Sequence, residues 1–291
     1  MRRAAENGGR GRQRSSGDLT RIYPVKPPLD IPRALILGAI QGPVELLPIS
    51  SSAHISLLPW FAGWRWDRLD RATRKDFEVA LHAGTAVALL AGQRRVIARE
   101  LTRMDARRLG AVAVAAAVPA AAGFVLERPV EERLGGPATI AAGLAAGAVA
   151  MLLTDRRPQD RDPDELNVAD GLALGAAQAA ALFPGVSRTA ATVGTARWRR
   201  FSRREANLLS RTVAVPVILG AAALRAWRMR HRRPNRAAKR AMGAGALSAA
   251  ASTFASQGLI ALLDRDGSAW PYAAYRLALA GAIVVKSRQD G

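Results

Sequence analysis

Glu45 is the only Asp, Glu, Lys or Arg between Ala34 and Trp64. A charged carboxylate at bilayer depth costs about 2.5–3.5 kcal/mol on insertion scales, so a Glu in such a stretch must be protonated, paired or bound to a metal. Gln41 precedes it by four residues and therefore shares its face of a helix. Pro48 ends or kinks that helix. Beyond it, Ser50, Ser51 and Ser52 supply hydroxyls and, where a second half-helix begins, free backbone N–H groups suited to an anion. His54 falls in the first turn of that half-helix. A carboxylate, a candidate nucleophile and a candidate base thus crowd the segment from Gln41 to His54, which is the equipment of nucleophilic or general acid–base chemistry.

The opposite charge sits in a second apolar stretch, Gly171 to Ala196, whose one charged residue is Arg188. Gly185 allows close backbone approach, Ser187 can cap the half-helix that follows, and Thr189 adds a hydroxyl next to Arg188. A guanidinium fork at a helix N-terminus is matched to phosphate. Gln178, further upstream, is assigned to packing. A divalent cation such as Mg²⁺ or Ca²⁺ would add to the charge neutralisation that phosphoryl transfer needs. Groups at membrane depth imply a substrate with a lipid tail.

The elements that must place these residues follow from where charge is excluded. The chain has 291 residues, 43 Lys plus Arg against 23 Asp plus Glu, a net charge of +20 and 49% apolar residues. That balance fits a nucleic-acid binder or a membrane protein with basic loops. Aromatics at 5% give few stacking platforms for nucleic acid, and the absence of Cys removes disulfides, thiolate nucleophiles and Cys-ligated metals. Apolar blocks cover about 33–62, 77–93, 109–126, 136–154, 168–196, 205–225, 241–263 and 270–285, with charge gathered between them. Residues 1–29 are read as a disordered basic tail and 30–291 as one membrane-embedded domain.

Two of the eight blocks are broken by Pro beside a polar cluster, which membrane depth tolerates only where the backbone is buried in protein or lines a cavity. They resemble each other: Leu37 to Ala53 reads LGAIQGPVELLPISSSA and Leu174 to Ala190 reads LGAAQAAALFPGVSRTA. Each is followed by three apolar blocks. An odd number of crossings per unit turns the second unit over, so the expected fold is an all-α polytopic membrane protein. It comprises two inverted-topology repeats, about 33–155 and 168–286, with six transmembrane helices and two re-entrant broken-helix pairs. The distribution of basic residues leans toward a cytoplasmic N-terminus.

The motifs QGPVELLPISSSAH and FPGVSRTAAT resemble the two signatures of the bacterial undecaprenyl-diphosphatase family, the bacitracin-resistance proteins. FEVALHAGT (Phe77 to Thr85), AVPVILGAA (Ala214 to Ala222) and YRLALA (Tyr275 to Ala280) extend the likeness over about 33–285. The resemblance implies a multi-pass enzyme of the bacterial plasma membrane that hydrolyses undecaprenyl diphosphate to the monophosphate carrier with release of phosphate, and that needs a divalent cation. By motif position the family's functional residues fall on Gln41, Glu45, Ser50, Ser51, His54, Ser187 and Arg188. Gln41 stands where the family has Glu or Gln. Ala53 replaces a usual Gly, Thr189-Ala190 replaces Ser-Gly, and His82 replaces a common Gln without an assigned role.

Two attacks on the terminal phosphorus stay open: by Ser51 assisted by His54, or by water with His54 as base, with Glu45 holding the metal or tuning His54. Ser50, Ser52, Gly185, Ser187 and Thr189 are assigned with Gln41 to substrate binding. Expected partners are the polyprenyl diphosphate and membrane lipids, with no nucleic acid; a homodimer is left open. The rival reading is a transporter or flippase for a phosphorylated polyprenyl lipid, since broken helices in inverted repeats are transporter architecture. Translocation needs Arg188 but has little use for Ser51 and His54 beside it.

Overall fold

The computed structural model describes residues 29–232, 234–265 and 268–290. The tail expected over residues 1–29 lies outside the described residues except for Leu29, which is buried in a core cluster with Leu37, Phe77 and Met242. Among the described residues the regular elements are helices, and the one β-bridge joins Arg161 to Phe201. Helices α1 (Ile31–Leu46) and α2 (Ser51–Phe61) form the first broken pair. They are followed by α3 (Arg71–Gly92), α4 (Arg94–Thr102), α5 (Ala106–Arg133) and α6 (Pro137–Asp155). Helices α7 (Val168–Ala180) and α8 (Arg188–Trp198) form the second pair, followed by α9 (Arg203–Arg232), α10 (Arg236–Ala255), α11 (Gly258–Leu263) and α12 (Trp270–Asp290).

Among the described residues, three stretches, Ala106–Leu126, Pro137–Asp155 and Arg203–Arg228, are long and apolar enough to cross a membrane. Several helices outrun the apolar blocks that announced them: α3 starts at Arg71, α5 ends at Arg133 and α12 ends at Asp290. Lys, Arg and Glu are good helix formers whose stems lie along apolar surface, so the loss of hydropathy at a block's edge does not end its helix. The 241–263 block is two helices, parted by a turn at Ser256 and Gln257. The basic connection at 94–102 is itself helical, as α4.

The two breaks fall at the prolines and are built alike. Ser50 caps α2 with φ 77° and Ser187 caps α8 with φ 64°. Each serine oxygen accepts from the N–H three residues on, of Ala53 and of Ala190. Both caps thus combine a left-handed backbone with a side-chain acceptor, which turns the chain sharply while satisfying a donor of the new helix.

Small residues let the broken helices seat deeply among the long ones. Helix α1 lies along α10, where the Ser252 hydroxyl accepts from the Gly42 N–H and donates to the Gly38 carbonyl. Helix α7 lies along α5, with the Gln178 amide donating to the Ala115 carbonyl at 2.8 Å. Helix α6 lies along α12, packed through Leu144, Ala280 and Ile283. Close approach of this kind is how helices associate where lipid removes the hydrophobic drive between them. Phe124, Val125 and Leu247 stand exposed on the outside of the bundle, an apolar exterior that suits lipid.

Candidate active site

Glu45 is the centre of the site. It occupies the last turn of α1, buried, and both of its oxygens are engaged. Arg188, first residue of α8, donates from Nη2 to Oε1 at 2.5 Å, so the two broken pairs meet in an ion pair across 143 residues of sequence. The Ser51 hydroxyl, at the start of α2, donates to Oε2 at 2.6 Å. Gln41, one turn back on α1, donates from Nε2 to the same oxygen at 3.2 Å. Such a pair persists in a low-dielectric interior only because every charge has a partner and a hydrogen bond.

His54 is held apart from this group. Its Nδ1 lies 2.7 Å from the Ser50 carbonyl and its Nε2 lies 2.7 Å from the Tyr275 hydroxyl. A carbonyl can only accept, so Nδ1 carries the proton and Nε2 presents its lone pair to Tyr275. Ser51 therefore directs its proton at Glu45, and the Ser51–His54 pairing expected from spacing is not a hydrogen bond in this geometry.

The remaining expected residues shape the breaks. Ser50 and Ser52 place their hydroxyls 3.3 Å apart. Gly185 has φ 91°, and a Cβ there would collide with the Ile140 carbonyl, so α8 can enter beside α6 only with glycine at this position. The Ser187 oxygen is committed to capping. Thr189 is engaged through its carbonyl, which accepts from the Thr192 hydroxyl.

Three residues without an assigned role belong to the site. His82, on α3, places Nδ1 3.2 Å from Glu45 Oε2 and 3.1 Å from Gln41 Nε2. Tyr275 binds His54. Arg276, fully buried on α12, donates to the carbonyls of Pro48 in the first break, of Gly185 and Val186 in the second, and of Gly143 and Leu144 on α6. Gly147 makes room for it, because a Cβ there would strike Nη2. Arg276 had the signal that singled out Arg188, a lone charge in an apolar block. A separate cavity of about 430 Å³ is lined by Pro48, Met151, Asp155, Arg197, Arg203 and Tyr272 and by none of the residues that ring Glu45.

The model of the bacitracin resistance protein BacA family matches residues 34–282. The chain belongs to this family. It is 36% identical over 271 residues to the undecaprenyl-diphosphatase of Geobacter sulfurreducens, covering 88% of this chain and 98% of that relative. The Geobacter metallireducens undecaprenyl-diphosphatase is 36% identical, with 87% and 96% covered, and that of Moorella thermoacetica 34% identical with the same coverage. The family match runs from α1 to within α12, so it includes both breaks, His54 and Glu45, and the Tyr275-Arg276 pair that ties them together.

Proposed function

We propose that this chain is a membrane phosphatase that hydrolyses undecaprenyl diphosphate to undecaprenyl phosphate and inorganic phosphate. The observation that carries it is the meeting of Ser51 and Arg188 on the two oxygens of Glu45. A hydroxyl held by a carboxylate next to a guanidinium at a helix start is a nucleophile beside an anion site.

Arg188 and the free N–H groups opening α2 and α8 hold the diphosphate. Glu45 orients the Ser51 hydroxyl and receives its proton as Oγ attacks the terminal phosphorus. The bond from phosphorus to the bridging oxygen breaks, the polyprenyl monophosphate leaves, and water hydrolyses the phosphoserine to free phosphate. Direct attack by water, with His54 Nε2 as base, is the competing route. A divalent cation fits the site on one observation: Gln41 Oε1 is buried beside Glu45 without a hydrogen-bond partner. Glu45 and Gln41 would hold the ion, and when bound it supplies charge neutralisation for the phosphoryl oxygens.

The reading extends to architecture. The paired breaks and the reciprocal packing of α1 on α10 and of α7 on α5 support two inverted repeats that exchange partners, with α3, α5, α6, α9, α10 and α12 as six crossings. The location that follows is the bacterial plasma membrane.

The test is phosphate release from undecaprenyl diphosphate by the purified chain in detergent, with and without EDTA, beside Glu45→Ala and Arg188→Ala. Release that needs metal and is lost in both variants is expected. No release from well-folded protein would leave a transporter of phosphorylated polyprenyl lipid as the better reading.

A further inference from the structure

Three polar atoms converge at the foot of α1 in a nearly equilateral triangle. Gln41 Nε2 lies 3.2 Å from Glu45 Oε2, Glu45 Oε2 lies 3.2 Å from His82 Nδ1, and His82 Nδ1 lies 3.1 Å from Gln41 Nε2. The arrangement leaves one buried group unserved, the Gln41 carbonyl oxygen Oε1, which has no hydrogen-bond partner. A buried amide oxygen without a donor has given up its water for no hydrogen bond in return. A half-turn of the amide about its last bond exchanges Oε1 for Nε2. With Nδ1 unprotonated, the vertices would then be an amide oxygen, a carboxylate oxygen and an imidazole nitrogen, three lone pairs turned on one another. A cation among them satisfies that set.

We infer that His82 is the third protein ligand of the site's divalent cation, together with Glu45 and Gln41, and that its imidazole sets the metal preference toward Co²⁺ or Zn²⁺ over Mg²⁺ and Ca²⁺. The inference deepens the phosphatase reading and rests on it for the ion's role.

Two arguments support the preference. Donor type comes first: carboxylate and carbonyl oxygens alone suit Mg²⁺ and Ca²⁺, whereas an imidazole donor suits the later first-row ions. Gln41 contributes no charge, so the set carries one carboxylate, a weak trap for the hard ions, which compensate for dehydration mainly through charge. Spacing comes second. Bonds of about 2.1 Å at right angles, which Mg²⁺ and the first-row ions make alike, put neighbouring ligand atoms about 3.0 Å apart, near the triangle's edges, while Ca²⁺ bonds of about 2.3–2.6 Å spread them to about 3.3–3.7 Å, so spacing disfavours Ca²⁺ alone. Arg188 engages the other oxygen of Glu45, so the triangle is formed on Oε2, which also accepts from the Ser51 hydroxyl. The His82 side chain is one-third exposed, which gives the ion a way in.

The experiment uses the purified full chain in detergent, stripped with EDTA and titrated with Co²⁺ in the absence of substrate. The visible ligand-field absorption of Co²⁺ reports binding, and Mg²⁺ is added as competitor. Saturable Co²⁺ bands are expected, with His82→Gln weakening Co²⁺ binding about 10-fold or more, since even the outer partners of metal ligands are worth that much. Mg²⁺ should compete poorly against the parent chain and better against His82→Gln. Circular dichroism and gel-filtration elution like the parent's establish that the variant is folded. Co²⁺ binding equal in the parent and in His82→Gln overturns the inference, as does absence of the bands in folded parent protein. Because no substrate is present, the outcome stands apart from phosphate release. Bands that depend on His82 without hydrolysis would sink the phosphatase reading alone, and hydrolysis indifferent to His82 without such bands would sink this inference alone.

Discussion

The imidazole of His54 and the phenol of Tyr275 stack with planes 5° apart and ring centroids 5.6 Å apart, while Nε2 and the hydroxyl are 2.7 Å apart. The ring of His54 is therefore fixed at both nitrogens, by its own helix cap on one side and by α12 on the other. If His54 passes protons, His54→Ala lowers kcat by about 10²–10⁴-fold, the span of a positioned acid or base. Tyr275→Phe keeps the stack and the Ser50 bond, so its loss is about 10-fold in kcat with KM little changed. The double variant should be no worse than His54→Ala alone, because Tyr275 acts through the imidazole. Steady-state kinetics on the three variants checks this; additive losses would mean that Tyr275 acts on the substrate itself.

The chemistry at Ser51 makes a sharper demand. Its hydroxyl lies 2.6 Å from Glu45 and is not bonded to His54, so covalent attack predicts that Ser51→Ala abolishes turnover while Glu45→Gln leaves a residue of it. Acid quench during turnover followed by mass spectrometry should find phosphate on the peptide containing Ser51. Near-normal turnover by Ser51→Ala, with His54→Ala inactive, would assign the attack to water.

Arg276 predicts a stability effect. One guanidinium serves five carbonyls drawn from both breaks and from α6, a fan of donors that an ammonium at the end of a Lys stem cannot reproduce. Arg276→Ala should lower stability by about 3 kcal/mol or more, since each buried acceptor left unserved costs about 1–3 kcal/mol. Arg276→Lys should recover little of it. Thermal unfolding in detergent measures both, and full rescue by Lys would reduce the residue to a buried charge.

How far these residues are legible in the sequence depends on what each one answers to. Glu45 and Arg188 were legible because a lone charge in an apolar block has to be paired. The breaks at Pro48 and Pro184 were legible because proline removes a helix donor. His82 and Tyr275 carried no such signal. An imidazole or a phenol is ordinary at the polar end of a membrane helix, and their roles arise from α3 and α12 folding back onto α1 and α2. Helix ends at Arg71 and Arg133 were missed for a related reason, because hydropathy reports where lipid is and not where a helix stops. Spacing within α2 favours His54 as the partner of Ser51, whereas the sharp turn at Ser50 brings the hydroxyl back to Glu45 of α1.

That turn carries the last prediction. Ser50 at φ 77° and Ser187 at φ 64° occupy left-handed backbone that costs an L-residue about 1–2 kcal/mol, and each recovers part of it by capping its half-helix. The two contributions have opposite answers to two substitutions. Ser187→Ala keeps the strain and deletes the cap, so it should lower stability by about 1 kcal/mol or more. Ser187→Gly deletes the cap and relieves the strain, so it should sit closer to the parent in thermal unfolding. Phosphate release separates structure from chemistry: if the Ser187 oxygen only caps, activity should follow stability through both variants. A stable Ser187→Gly without activity would mean that this hydroxyl touches the diphosphate, and the second break would then contribute a side chain beyond Arg188 to the reaction.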